Sequence, residues 1–246
     1  MTPSADSPNM ATAISALFAS RGGELHSFIS AIEVASKDPR CLGIKANFSN
    51  GLSRSMSWAS CWEIKSAMDE YKKVRDVLKM EDFSFSETKE MDSKILYLAA
   101  SIGHIYSATK ICAGIFSFNN LSIHYKDLLE KIGLKFVATK TGKYKSLYDK
   151  FTESNVTEHE REAQAKIFEG LEEEWISCVS EKCGVEKEKV KRLLGRFIFS
   201  EELKDLGIVK EFNSDFESKS VKHYKVSLFQ INLFFRLSIR FLFVLF

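Results

Sequence analysis

The chain has 246 residues, and 35 lysines and arginines nearly balance 33 aspartates and glutamates, for a net charge of +2. That balance argues against a nucleic-acid or polyanion partner, and the length suffices for one domain with a substantial core. Cys41, Cys61, Cys112, Cys178 and Cys183 form no C-x-x-C pair and no Cys/His zinc spacing, and H-E-x-x-H, Walker and G-x-G-x-x-G motifs are all absent, so we expect no metal and no cofactor.

Residues 1–23 read as a disordered or truncated start, because Met1 to Met10 is polar and has no apolar stretch of a secretory signal. Leu25, Phe28, Ile29 and Ile32 recur at helical spacing and predict a helix over 24–35. Lys37-Asp38-Pro39-Arg40 ends it, since proline disfavours helical angles in the residue before it. Cys41 to Phe48 reads as a strand, and Asn50-Gly51 as the turn after it. Helices are expected over 53–73 and 92–100, with short strands within 82–86 and at 105–107. A helix over 122–131 leads to the apolar and β-branched run Leu134 to Thr139, which predicts a strand.

The longest helix is expected from Thr157 to Cys183, opened by a capping box of Thr157 and Glu160, with Ala163, Ile167, Leu171, Trp175 and Val179 on one face. A helix over 185–194, a strand over 196–199 and a helix ending on Gly207 before a last strand continue the alternation. Such alternation predicts an α/β domain with mostly parallel strands, over 24–213. Residues 214–246 read as a linker and an apolar tail. Val226 to Phe246 has the length of a bilayer span, about 20 residues. Arg236 and Arg240 lie inside it, however, and each costs about 2.5–3.5 kcal/mol at a helix centre. The tail is therefore expected to be at most a loosely packed helix that contributes nothing to a site.

The stretch Thr141 to Phe151, T-G-K-Y-K-S-L-Y-D-K-F, follows the strand expected at 134–139. Gly142 permits a sharp turn, which leaves Lys145 just past a strand's carboxyl end, where open α/β sheets usually place their chemistry. Together with Leu128 to Leu134 (L-L-E-K-I-G-L), the segment Gly142-Lys143-Tyr144-Lys145-Ser146 resembles the signal peptide peptidase A (protease IV) family of Ser/Lys serine peptidases. Tyr97-Leu98-Ala99 with Ile105-Tyr106, Trp58 with Glu63-Ile64, and Leu203 to Val209 extend the likeness over roughly 27–212. It is similar above all to the first, lysine-bearing repeat of the long, plant-type two-repeat members.

The resemblance implies a ClpP/crotonase-like α/β fold with mostly parallel strands and flanking helices. It implies a peptide substrate, Lys145 as general base, Asn50 and Gly51 as the turn holding the oxyanion, and Tyr144, Ser146 and Phe151 as cleft walls. Also implied are self-association or a serine-bearing partner repeat, no nucleic acid, contact with a membrane, and a plastid or thylakoid location for a plant-type member. A lysine acts as a base only when neutral, so its pKa must fall from about 10.4 by two units or more, through burial or a helix N-terminus. Lys145 is accordingly expected in a cleft with low exposure.

The resemblance places Ser93 at the family's nucleophile position. Yet that serine belongs to an A-S-G-G-Y-Y segment, and here the residues are Asp92-Ser93-Lys94-Ile95, with both glycines replaced. Lys94 instead matches the non-catalytic first repeat, so Ser93 reads either as a helix-start serine or as a nucleophile. Two functions follow: a Ser/Lys endopeptidase, or its lysine-bearing half lacking a second repeat, and a catalytically inactive oligomerisation module on the same fold. A crotonase-type acyl-CoA enzyme is a third reading that only fold analogy favours.

Overall fold

The computed structural model describes residues 24–48, 56–107, 111–211, 227–232 and 240–245. Its contacts divide the chain into two compact units, 1–116 with 178–246, and 117–177.

In the first unit, helix α1 (Glu24–Lys37) buries Phe28, Ala31, Ile32 and Ala35 along the predicted stripe. It packs against α2 (Trp58–Val77), whose Cys61, Ile64, Met68 and Tyr71 are buried. Ser57 caps α2, its hydroxyl accepting from the Ser60 amide at 3.0 Å. Strand β1 (Cys41–Asn47) pairs in parallel with β2 (Phe85–Thr88), and β2 with β4 (His104–Ser107). Between them lie the two-residue strand β3 (Met91–Asp92) and helix α3 (Ser93–Ile102), almost all of which is buried. β3 pairs in parallel with β5 (Cys112–Ile115), which pairs antiparallel with β6 (Arg196–Phe199) to form a second, three-stranded sheet.

Helix α8 (Ser200–Asp205) then leads into β7 (Val209–Glu211), parallel to β4. Gly207, at φ +78°, stops α8: its own amide bonds Lys204 and the next amide, on Ile208, bonds Leu203, each at 2.9 Å. That is the closing glycine which the L-K-D-L-G-I-V phrase predicts. The chain is thus a mixed α/β protein with a parallel-strand sheet and flanking helices.

The tail departs from expectation. Residues 227–232 and 240–245 form strands β8 (Ser227–Asn232) and β9 (Arg240–Leu245), an antiparallel pair, and β9 adds antiparallel to β1 from Cys41↔Leu245 to Asn47↔Arg240. The larger sheet therefore runs β7-β4-β2-β1-β9-β8. The expected helix is corrected to a hairpin because β1 would otherwise present an unpaired edge, and runs rich in Phe, Ile, Leu and Val satisfy it best as strands.

In the second unit, α4 (Lys126–Lys131) ends in the same pair of bonds as α8, Gly133 to Glu130 and Leu134 to Leu129. The short helix α5 (Asp149–Thr152) and the first part of α6 (Glu158–Cys183) follow. Residues 134–139 form no strand and pair with none among the described residues, correcting the strand expected there. Their β-branched and aromatic content favours a sheet only where a neighbouring strand offers hydrogen bonds. Helix α7 (Lys187–Lys191), back in the first unit, is shorter than the 185–194 expected.

Candidate active site

In the second unit, the G-K-Y-K-S segment forms a loop whose two ends are joined. Lys140 donates to Asp149 at 2.6 Å, and that carboxylate is almost fully buried and also accepts the Thr157 hydroxyl at 3.5 Å. Gly142 has φ +99°, a left-handed turn that a side chain would strain, and its carbonyl accepts the Lys145 amide at 3.4 Å. Lys145 is exposed. The low exposure expected of it is therefore corrected for the single chain, because the segment before it joins no sheet and so builds no cleft floor beneath it.

The expected walls have separate neighbours. Tyr144 donates its hydroxyl to Glu162 at 3.0 Å and sets its ring against His159 at 5.5 Å, both on α6. That bond raises the Tyr144 pKa, while Lys166 and then Tyr144 lower that of Glu162. Phe151 stacks on Tyr125 at 5.7 Å and meets Phe136 at 5.1 Å, forming the unit's aromatic cluster. The Ser146 carbonyl accepts the Asp149 amide at 3.0 Å, beginning the turn into α5. The structure thus holds Tyr144, Lys145, Ser146 and Phe151 in one unit without wrapping them around the lysine.

In the first unit, Ser93 starts α3 and is buried. Asp92 caps the helix, accepting from the Lys94 and Ile95 amides at 2.8 Å. The Ser93 hydroxyl donates to the Phe116 carbonyl at 3.0 Å and accepts from the Phe116 amide at 2.8 Å, so it fastens the end of β5. Lys94 reaches the Met56 carbonyl at 2.6 Å and lies 5.9 Å from the Trp58 ring centroid. It therefore puts a long, engaged side chain at the position where the resemblance leads one to expect a glycine. Asn50 and Gly51 lie outside the described residues.

Two features were not found from the sequence. The Lys140–Asp149 clamp has no periodic signal, since a Lys and an Asp nine residues apart are common in a charged loop. The buried Lys45–Glu87 pair, 3.1 Å apart, joins neighbouring strands near their carboxyl ends, and only the sheet register reveals it. Among the described residues no group of His, Cys, Asp and Glu could hold a metal ion, and no helix is long and apolar enough to cross a membrane.

With parallel strands, the lysine loop and the capped α3 in place, comparison with known proteins identifies the class. Residues 86–215 match Peptidase family S49, and the chain belongs to that family. It is also similar to the serine protease SPPA, chloroplastic, of Arabidopsis thaliana, with 22% identity over 184 residues. That match covers 74% of this chain but only 26% of the relative, so the chain spans about a quarter of its relative's length.

Proposed function

We propose that this chain is the lysine-bearing half of a Ser/Lys endopeptidase that cleaves peptides at a membrane surface. Lys145 serves as general base for a serine supplied by a partner repeat. Once the partner covers it, the neutral amine takes the serine hydroxyl proton while the oxygen bonds to the scissile carbonyl carbon. The resulting oxyanion is stabilised by backbone amides at the Asn50–Gly51 turn. When the C–N bond breaks, the lysine returns its proton to the leaving amine, and water then releases the acyl group from the serine.

The observation that carries this reading is the exposed lysine on a loop fastened at both ends by the Lys140–Asp149 pair. A surface loop held in shape suits a residue that works on a neighbour's nucleophile. The engaged Ser93 hydroxyl and the Lys94 side chain favour a nucleophile from elsewhere. The same two facts favour the second reading, a catalytically inactive oligomerisation module.

A fluorophosphonate probe separates them, because it labels only an activated serine. Alone, this chain should remain unlabelled. Mixed with a serine-bearing repeat of the family, the partner should become labelled, and Lys145→Ala should abolish that labelling. Labelling that is indifferent to Lys145→Ala would leave the inactive module as the better account, and labelling of the isolated chain at Ser93 would overturn both.

A further inference from the structure

The three-stranded sheet ends in β6, and the exposed face of that sheet is aromatic. Phe116, Phe197 and Phe199 are 60%, 70% and 65% exposed. The register sets Phe197 opposite Gly114 and Phe199 opposite Cys112. A side chain at Gly114 would press on the Phe116 and Phe197 rings, which meet edge-to-face at 5.9 Å. Ile198 and Ala113, on the other face, are fully buried.

The backbone of β6 is equally one-sided. The Ser200 amide bonds the Ile111 carbonyl at 3.0 Å, which extends the ladder with β5 by one pair. Antiparallel partners alternate between bonded and non-bonded pairs. Ile198 and Arg196 therefore bond to β5, and the amides of Phe197 and Phe199 and the carbonyl of Phe197 point outward from the edge, while the Phe199 carbonyl, at the N-cap of α8, takes the first bond of that helix. The strand carries no proline, and no lysine, to blunt that edge.

We propose that β6 pairs antiparallel with β6 of a second copy of this chain, about a two-fold axis through Ile198, making one six-stranded sheet. In that register the Phe199 amide of each copy donates to the Phe197 carbonyl of the other, giving two main-chain bonds and one continuous aromatic face. An antiparallel strand pair is its own complement, as an isologous interface requires. The charges agree as well. Arg192 and Arg196 precede the strand's centre while Glu201 and Glu202 follow it, so the basic end of each copy lies beside the acidic end of the other. Arg196 already holds Glu202 of its own chain at 2.9 Å, and Glu201 of the second copy comes next to it.

This pairing goes beyond the peptidase reading and does not involve Lys145. Lys145→Ala should dimerise like the wild type, so failure of one idea is distinguishable from failure of the other. Sedimentation of the full chain across concentrations should show a monomer–dimer equilibrium. Phe197→Lys with Phe199→Lys should weaken it at least about tenfold by putting charge on the edge. Arg196→Glu should weaken it too, and adding Glu201→Arg should restore it, which a merely misfolded variant would not do.

Cys112, an exposed thiol, would face its counterpart across three strand spacings and a two-residue offset, about 16 Å. A bismaleimide of that span should cross-link the wild type through Cys112 but not the double lysine variant. A chain that stays monomeric at tens of micromolar (on the order of ordinary weak self-association) would overturn the proposal. So would a dimer whose strength and cross-linking ignore the β6 substitutions.

Discussion

Two side chains show how position decides role. The Ser93 hydroxyl bonds both the amide and the carbonyl of Phe116, so Ser93→Ala removes a part-buried hydrogen-bond partner from each. That should cost about 1–3 kcal/mol, read as a lower urea midpoint, with no loss of any peptidase activity measured in a reconstituted pair. An unchanged midpoint would show that water replaces the hydroxyl freely. His104 has its pKa lowered from 6.5, by burial first and then by Lys210 and Lys72, and its Nδ1 lies 3.1 Å from the Lys210 ammonium. Below that pH the unfolded chain binds the proton more readily than the folded one, so stability rises with pH through the window and falls as pH drops below about 6.5. His104→Gln should flatten that dependence between pH 5 and 7 (roughly the titration range of histidine), and a wild-type midpoint constant across it would refute the assignment.

Among elements, the C-terminal hairpin carries the sharpest expectation. Deleting 226–246 removes the strand that lies along β1 and leaves that edge bare. The truncated protein should lose stability and form larger species than the full chain on size exclusion at equal concentration; a profile and a urea midpoint unchanged from the full chain would show that the hairpin is dispensable. It is not legible in the sequence, because runs of Phe and Leu fit a membrane span or a loose helix as well as a strand, and their pairing depends on an edge made by distant residues. The same dependence explains the opposite error at 134–139, where strand-like residues meet no edge. β3 is two residues long, too short for any periodicity, so the second sheet was invisible as well. The helices were far more legible. The stripe Phe28, Ile32 and Ala35 in α1 and the Thr157 cap of α6 are local signals that tertiary context does not override. For the candidate site, the G-x-Y-K-S phrase points to Lys145, whereas its exposure and the binding of Ser93 to Phe116 follow from contacts that no local pattern encodes.

At the scale of the whole molecule, none of the five cysteines is in a disulfide, with Cys41, Cys61 and Cys178 buried, Cys183 partly so and Cys112 exposed. Burial pushes the Cys61 and Cys183 thiols up to about 12, which keeps them protonated and slow to react. A brief maleimide treatment should therefore add one label to the native chain and five in denaturant, counted by mass spectrometry. Two or more rapid native labels would contradict the packing around α2 and α6. The sheet order has a further consequence, for the time course of synthesis. β1 leaves the ribosome about 200 residues before its antiparallel partner β9. Throughout that interval the centre of the larger sheet is open on one side, exposed to any other extended chain nearby. The protein should accordingly depend on chaperones to protect that waiting edge, and refold from denaturant more slowly than its size alone would suggest.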